Sequence, residues 1–116
     1  MYNLFIDDER NVKDPVWMPW QVQEKYRNEE WQIARNFNDV KLIIDLFGFP
    51  QIVSFDHDLG KNEPTGYVIC QWLCDLIMDE KYQLPDNFDF YVHSKNPVGA
   101  ENIKRYMNNF IARWKE

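Results

Sequence analysis

Three short apolar runs in this chain stop abruptly at side chains able to move protons, hold metals or bind phosphate. Leu4-Phe5-Ile6 runs into Asp7-Asp8-Glu9-Arg10. Ile52-Val53-Ser54-Phe55 runs into Asp56-His57-Asp58, and Phe90-Tyr91-Val92 runs into His93-Ser94-Lys95-Asn96-Pro97. Brought together, Asp7, Asp8, Asp56 and Asp58 form a carboxylate cluster that repels itself until protons or a cation neutralise it. A few hard oxygen ligands, with water completing the shell, suit Mg²⁺ or Mn²⁺. The same aspartates also suit turns and helix caps, a common duty of Asp. Asp58 in particular can serve the loop before Gly60.

His57 and His93 are the only histidines, and each closely follows an apolar run. Two imidazoles facing one another across a small gap can divide acid and base work near neutral pH. One takes a proton from an attacking hydroxyl or water, and the other gives one to the leaving oxygen. That suits phosphodiester chemistry, including the opening of a cyclic phosphate. The plainer reading is that each histidine hydrogen-bonds its own loop. Direction matters here, because neighbouring residues on a strand point to opposite faces. Asp56 and His57 reach one site only if the strand has already ended.

Ser94, Lys95 and the helix start at Asn96-Pro97 supply a hydroxyl, an ammonium and N–H groups, a combination that binds phosphate. Asn96 also suits a helix cap. Arg10 either clamps a phosphate or pairs with an acidic neighbour. Gly60 and Gly66 flank a polar loop that either approaches a ligand or simply turns.

These residues need a scaffold that gathers them. The runs at 2–6, 31–35, 51–55 and 88–92 predict four strands. Asn36 or Asn38 can cap a helix whose apolar face is Val40, Ile43, Ile44 and Phe47, closed by Gly48 and Pro50. A largely apolar helix is predicted over about 65–80. A last one over about 97–114 carries the stripe Ile103, Tyr106, Met107, Phe110, Ile111 and Trp114. Residues 9–30 hold Pro15 and Pro19, which forbid one regular helix. A short helix over about 19–26 is expected there. Strands alternating with helices imply right-handed crossovers, a mainly parallel four-stranded sheet of order 2-1-3-4, and helices on both faces. Ligands bind such sheets outside the carboxyl ends of the strands, where all three polar clusters fall.

The chain has 116 residues and 45% apolar composition, which suits a single domain over 1–116. Its net charge of −6 argues against nonspecific DNA or RNA binding. No stretch approaches the ~20 apolar residues that span a bilayer, and the N-terminus carries no export signal. Cys70 and Cys74 are then expected as reduced core thiols of a cytoplasmic protein.

With these positions in hand, the chain resembles the response-regulator receiver domain. That resemblance implies Asp7 and Asp8 as Mg²⁺ ligands, Asp56 as ligand and phosphoryl acceptor, and Ser94 as the switch hydroxyl. The fifth strand of the receiver, with its lysine, has no counterpart; Lys95 is out of place for it, and His57 and His93 are additions. A fuller set covers nearly the whole chain: Asp7-Asp8-Glu9-Arg10, Ser54 to Gly60, Thr65-Gly66-Tyr67, Trp72-Leu73, His93 to Gly99 and Asn102-Ile103. It resembles the cyclic-phosphate-processing receiver-like domains. The resemblance implies a truncated receiver or flavodoxin-like three-layer fold, and processing or binding of a cyclic phosphate on an RNA end or a small nucleotide. His57, His93 and Asp56 would be catalytic. Ser94, Lys95 and Arg10 would bind phosphate, and Asp7, Asp8, Asp56 and Asp58 would hold Mg²⁺ or Mn²⁺. The alternatives are a non-catalytic signalling or nucleotide-binding module, and a protein-interaction domain with a vestigial site. Trp17 and Trp20 would then meet the protein partner.

Overall fold

A computed structural model describes residues 2–10 and 30–114. It contains β1 (Asn3–Ile6), β2 (Trp31–Ala34), α1 (Phe37–Phe47), β3 (Ile52–Phe55), α2 (Gly66–Met78), β4 (Asp89–Val92) and α3 (Pro97–Trp114). The strands form one sheet of order β2-β1-β3-β4, parallel throughout. This is the predicted α/β order, and the predicted element ends fall within about two residues of those observed. The helix expected over 19–26, and Trp17 and Trp20 with it, lies outside the described residues.

Local chemistry explains the helix starts. Asn36 accepts the Asp39 N–H at 2.9 Å, and Asp39 accepts the Arg35 N–H in return. Thr65 caps α2 through the Val68 N–H, and Asn96 caps α3 through the Gly99 N–H at 3.0 Å. Gly48 ends α1 at φ 85°, a conformation that costs glycine little, with its N–H returned to the Ile44 carbonyl.

The two faces of the sheet are chemically different. Leu4 and Ile6, Ala34, Val53 and Phe55, with Phe90 and Val92, join one apolar cluster. Val40 and Ile44 of α1, Ile69, Leu73 and Ile77 of α2, and Ile103 and Met107 of α3 complete it. All three described helices therefore pack on that face. Burying each of the larger, fully enclosed side chains among these is worth ~1.5–3 kcal/mol, which anchors the strands in register. Cys70 and Cys74 are free thiols buried in the same cluster. Burial pushes the Cys74 thiol up to about 12 and that of Cys70 further, so neither is a nucleophile at neutral pH. None of the described helices is long and apolar enough to cross a membrane.

The alternate residues, Phe5, Ser54 and Tyr91, point to the other face. Period-two alternation continues this row past the strand ends. Phe5 leads to Asp7, Ser54 to Asp56 and Tyr91 to His93, so the polar ends share a face with an aromatic and hydroxyl-bearing row.

Candidate functional site

Parallel pairing brings the three ends level. Phe55 is registered with Ile6 on one side and Val92 on the other. The ladder then runs one step further: Asp56 donates its N–H to the Ile6 carbonyl, and His93 donates its N–H to the Phe55 carbonyl. Asp7, Asp56 and His93 emerge side by side. Each offers one ligand atom, and these atoms all lie within 4.8 Å of one another.

His93 reaches this place by lying across β3. Its ring stacks on Phe5 of β1, two strands away, at 4.6 Å between centroids and 3° from parallel. The strand between them carries only Ser54 there, and its Oγ meets His93 Nδ1 at 2.7 Å. The other ring nitrogen, Nε2, is 3.1 Å from Asp7 Oδ2. The imidazole is 3% exposed and the Asp7 carboxylate 1%.

Asp7 and Asp56 differ electrostatically. Burial by itself raises the pKa of Asp7. The His93 hydrogen bond and the N–H groups of Arg10 and Glu9, both 2.8 Å from Oδ1, outweigh it and hold the group down at about 2. Asp7 is therefore an ionised acceptor at neutral pH, and Nε2 of His93 is the donor to it. Asp56 has fewer partners. Its Oδ1 accepts the His57 N–H, but burial and the neighbouring Asp7 charge raise its pKa above the ordinary value. An under-compensated carboxylate beside an ionised one, with an imidazole nitrogen in reach, fits a divalent cation bound through mixed oxygen and nitrogen donors.

His57 belongs to a second group. Its Nδ1 is 2.8 Å from Asp58 Oδ1, which lowers the Asp58 pKa. Asn96 Nδ2 also lies 3.4 Å from the same Nδ1. One nitrogen cannot accept from Asn96 while donating to Asp58, and the shorter, charge-assisted contact decides for donation to Asp58. Asn96 Nδ2 instead serves Asp58 Oδ2 at 3.4 Å. Two glycines seat this residue. The Gly66 N–H bonds the His57 carbonyl at 2.8 Å, and a Cβ on Gly66 would collide with the Asp56 carbonyl. A Cβ on Gly99 would collide with the His57 ring.

The sequence profile of the family described as "Cyclic-phosphate processing Receiver domain" matches residues 2–109. The chain belongs to that family. A search of curated proteins finds no match. Among solved structures, a yeast Spc42 trimeric coiled-coil segment (amino acids 181–211) fused to another structure is similar, with a TM-score of 0.53 and 17% identity. The similarity covers 90% of this chain and 60% of that one, and at this identity it speaks for the fold alone.

The residues singled out in the sequence separate into groups. Asp7, Asp56 and His93 come together. Asp8 is half-buried and turns Oδ2 toward the loop at Gly60. Asp58 is exposed and bonded to His57, outside the metal-capable cluster. The two imidazoles have separate partners, Ser54 and Asp7 for His93, Asp58 for His57. Arg10 donates to the His93 carbonyl at 3.2 Å and lies 3.8 Å from Asp7, tying the ends of β1 and β4. The Ser94 hydroxyl accepts the Asn96 N–H at 3.0 Å in the turn before α3, and Lys95 is exposed.

Two contributors escaped the sequence reading. Ser54 was legible as the one polar residue in an apolar strand, two places before Asp56 and hence on its face. Arg35 follows β2 and donates through Nη1 to the carbonyls of Asp7 and Arg10, at 3.0 and 2.7 Å. Only its place at a strand end hinted at this.

Proposed function

We propose that the domain opens or binds a cyclic phosphate, carried by an RNA end or a small nucleotide, at the ends of β1, β3 and β4. The gathering of Asp7, Asp56 and His93 donor atoms within 4.8 Å carries this reading, alongside membership of the family. Asp7, Asp56 and His93 would hold a divalent cation, Mg²⁺ or Mn²⁺. Bound there, the cation supplies positive charge to the phosphate as negative charge builds on it.

The protein's own groups divide the remaining work. His57, with Nδ1 donated to Asp58, keeps a lone pair on Nε2. This is the base-plus-orienting-carboxylate arrangement of an acid–base histidine. In ring opening, water adds to phosphorus, its proton passes to His57, one phosphorus–oxygen bond breaks, and His57 returns that proton to the departing ribose oxygen. Arg10, at the rim beside His93, adds positive charge, and Lys95 is exposed at the approach to α3. The protein's net charge of −6 is then countered locally rather than by a basic face, which suits a small or terminal phosphate better than a duplex.

The test is incubation with 2′,3′-cyclic mononucleotides and cyclic-phosphate-ended oligonucleotides, with and without Mg²⁺ or Mn²⁺. Cation-dependent conversion to a monoester is expected, and it should be lost in Asp56→Asn and His57→Ala. Formation of an acyl phosphate on Asp56 from a small phosphodonor, with cyclic phosphates neither bound nor opened, would point instead to receiver-type signalling.

A further inference from the structure

The outer surface of α1 carries more than a helix needs if its only task is to cover the sheet. Val40 and Ile44 turn inward to the core. At ~3.6 residues per turn, Leu42 and Leu46 then fall one turn apart on the opposite side. They are 58% and 67% exposed, and among the described residues Val98 alone is a more exposed large apolar side chain than Leu46. A single exposed leucine is ordinary, but two aligned along the middle of a solvent face form a ridge. Helix propensity does not ask for leucine here, since Lys, Gln or Glu propagates a helix nearly as well.

The charges beside the ridge are arranged for a partner of one kind. Lys41 and Asp45 border it on the same flank, and both are exposed. They stand four residues apart, yet neither makes an ion pair among the described residues. Lys41 instead rests its Nζ over the Phe37 ring at 4.2 Å. Lysine before an acid at this spacing is the weaker order within one helix. Two identical helices laid antiparallel bring each flank against the same flank of the other copy, running in reverse. The lysine of each copy then faces the aspartate of the other, twice along one seam. A surface on which residue i meets j while j meets i is what a closed two-fold contact requires.

We propose that α1 is a docking surface for a second copy of this chain, with the two helices antiparallel across a two-fold axis. Leu42 and Leu46 of both copies fill the seam, and Lys41 of each pairs with Asp45 of the other. The long, flexible lysine stem lets the ammonium swing from Phe37 to that carboxylate. Pairing leaves both candidate sites open, because α1 packs by β2, the edge strand opposite β4, while the site lies on β1, β3 and β4. It therefore requires nothing of the proposed reaction. One helix face is smaller than the ~800 Å² per partner of a standard interface, so the dimer is a weak one.

Sedimentation equilibrium of the intact domain at physiological salt reads this directly. Between about 10 µM and about 1 mM, the average mass should rise from one chain toward two and stop there, as a weak closed contact requires. Leu46→Glu should hold the mass at one chain. Lys41→Asp and Asp45→Lys each set like charges against one another and should weaken pairing roughly tenfold or more. An equimolar mixture of those two variants restores opposite charges across the seam and should pair as the wild type does. The mixture also separates the seam from net charge: Asp45→Lys brings a chain of net charge −6 nearer neutrality, which by itself favours association. Thermal melts confirm that each variant is folded. A wild-type mass that stays at one chain, a mass that grows past two, pairing unchanged in any single variant, or a mixture no more associated than its components would overturn the proposal.

Discussion

The imidazole of His93 lies flat on the ring of Phe5, although β3 runs between their strands. Phe5 is therefore a floor for the site as well as a sheet residue. It has no exposed surface and also meets Trp31 edge-on at 6.2 Å. Phe5→Leu should cost about 1–2 kcal/mol in a urea melt. It should also weaken cation binding, because the His93 ring loses the surface that fixes its plane. Unchanged binding in a destabilised variant would separate the floor from the site.

The two carboxylates should act on stability with opposite signs. Asp7 has a depressed folded-state pKa, about 2 against an ordinary 3.8. Its contribution is complete above pH ~4 and is lost as pH falls through about 2, and it is worth on the order of 2 kcal/mol. Asp56 has a raised folded-state pKa, so ionising it opposes folding once the pH exceeds its ordinary value. At neutral pH and without divalent cation, Asp7→Asn should lower Tm, and Asp56→Asn should raise it by a few degrees. Thermal melts at pH 7 in chelator check both.

Gly99 predicts an inverted helix-propensity effect. Alanine inside α3 should gain roughly 1 kcal/mol over glycine. Here its Cβ would displace the His57 ring. Gly99→Ala should therefore fail to stabilise and should shift the His57 ring resonances in an NMR spectrum. A more stable protein with His57 unmoved would contradict the seating described above.

Asp58 is exposed and outside the metal-capable cluster, so its removal isolates the orienting role. Asp58→Asn should leave the melting curve within about 0.5 kcal/mol of wild type. Cation affinity should also stay the same, while opening of a cyclic phosphate slows at least tenfold. Equal rates would remove Asp58 from the acid–base group.

Much of this was legible in the residues. Continuous apolar runs marked the strands because both faces of a parallel sheet are covered. Capping side chains, Asn36 or Asn38 before one helix and Asn96 before the last, marked two of the helix starts. The clusters were legible at strand ends because parallel strands all deliver their carboxyl ends to one edge. The division between the histidines was harder to read. It depends on register, which sets Asp56 beside His93 and turns His57 the other way, and register is a property of pairing rather than of any one strand. Phe47 shows the same limit. Its spacing placed it on the inner face of α1, yet it is 56% exposed and lies beside Tyr2 at 5.7 Å. Periodicity gives a helix face but not how far along the helix the sheet extends beneath it.

The most direct test of the cation site is a calorimetric titration of the metal-free domain with Mn²⁺. The cluster predicts one site per chain, abolished by Asp56→Asn and weakened at least tenfold by His93→Gln. Asp58→Asn should leave it intact. No binding, or binding that survives loss of Asp56, would contradict it.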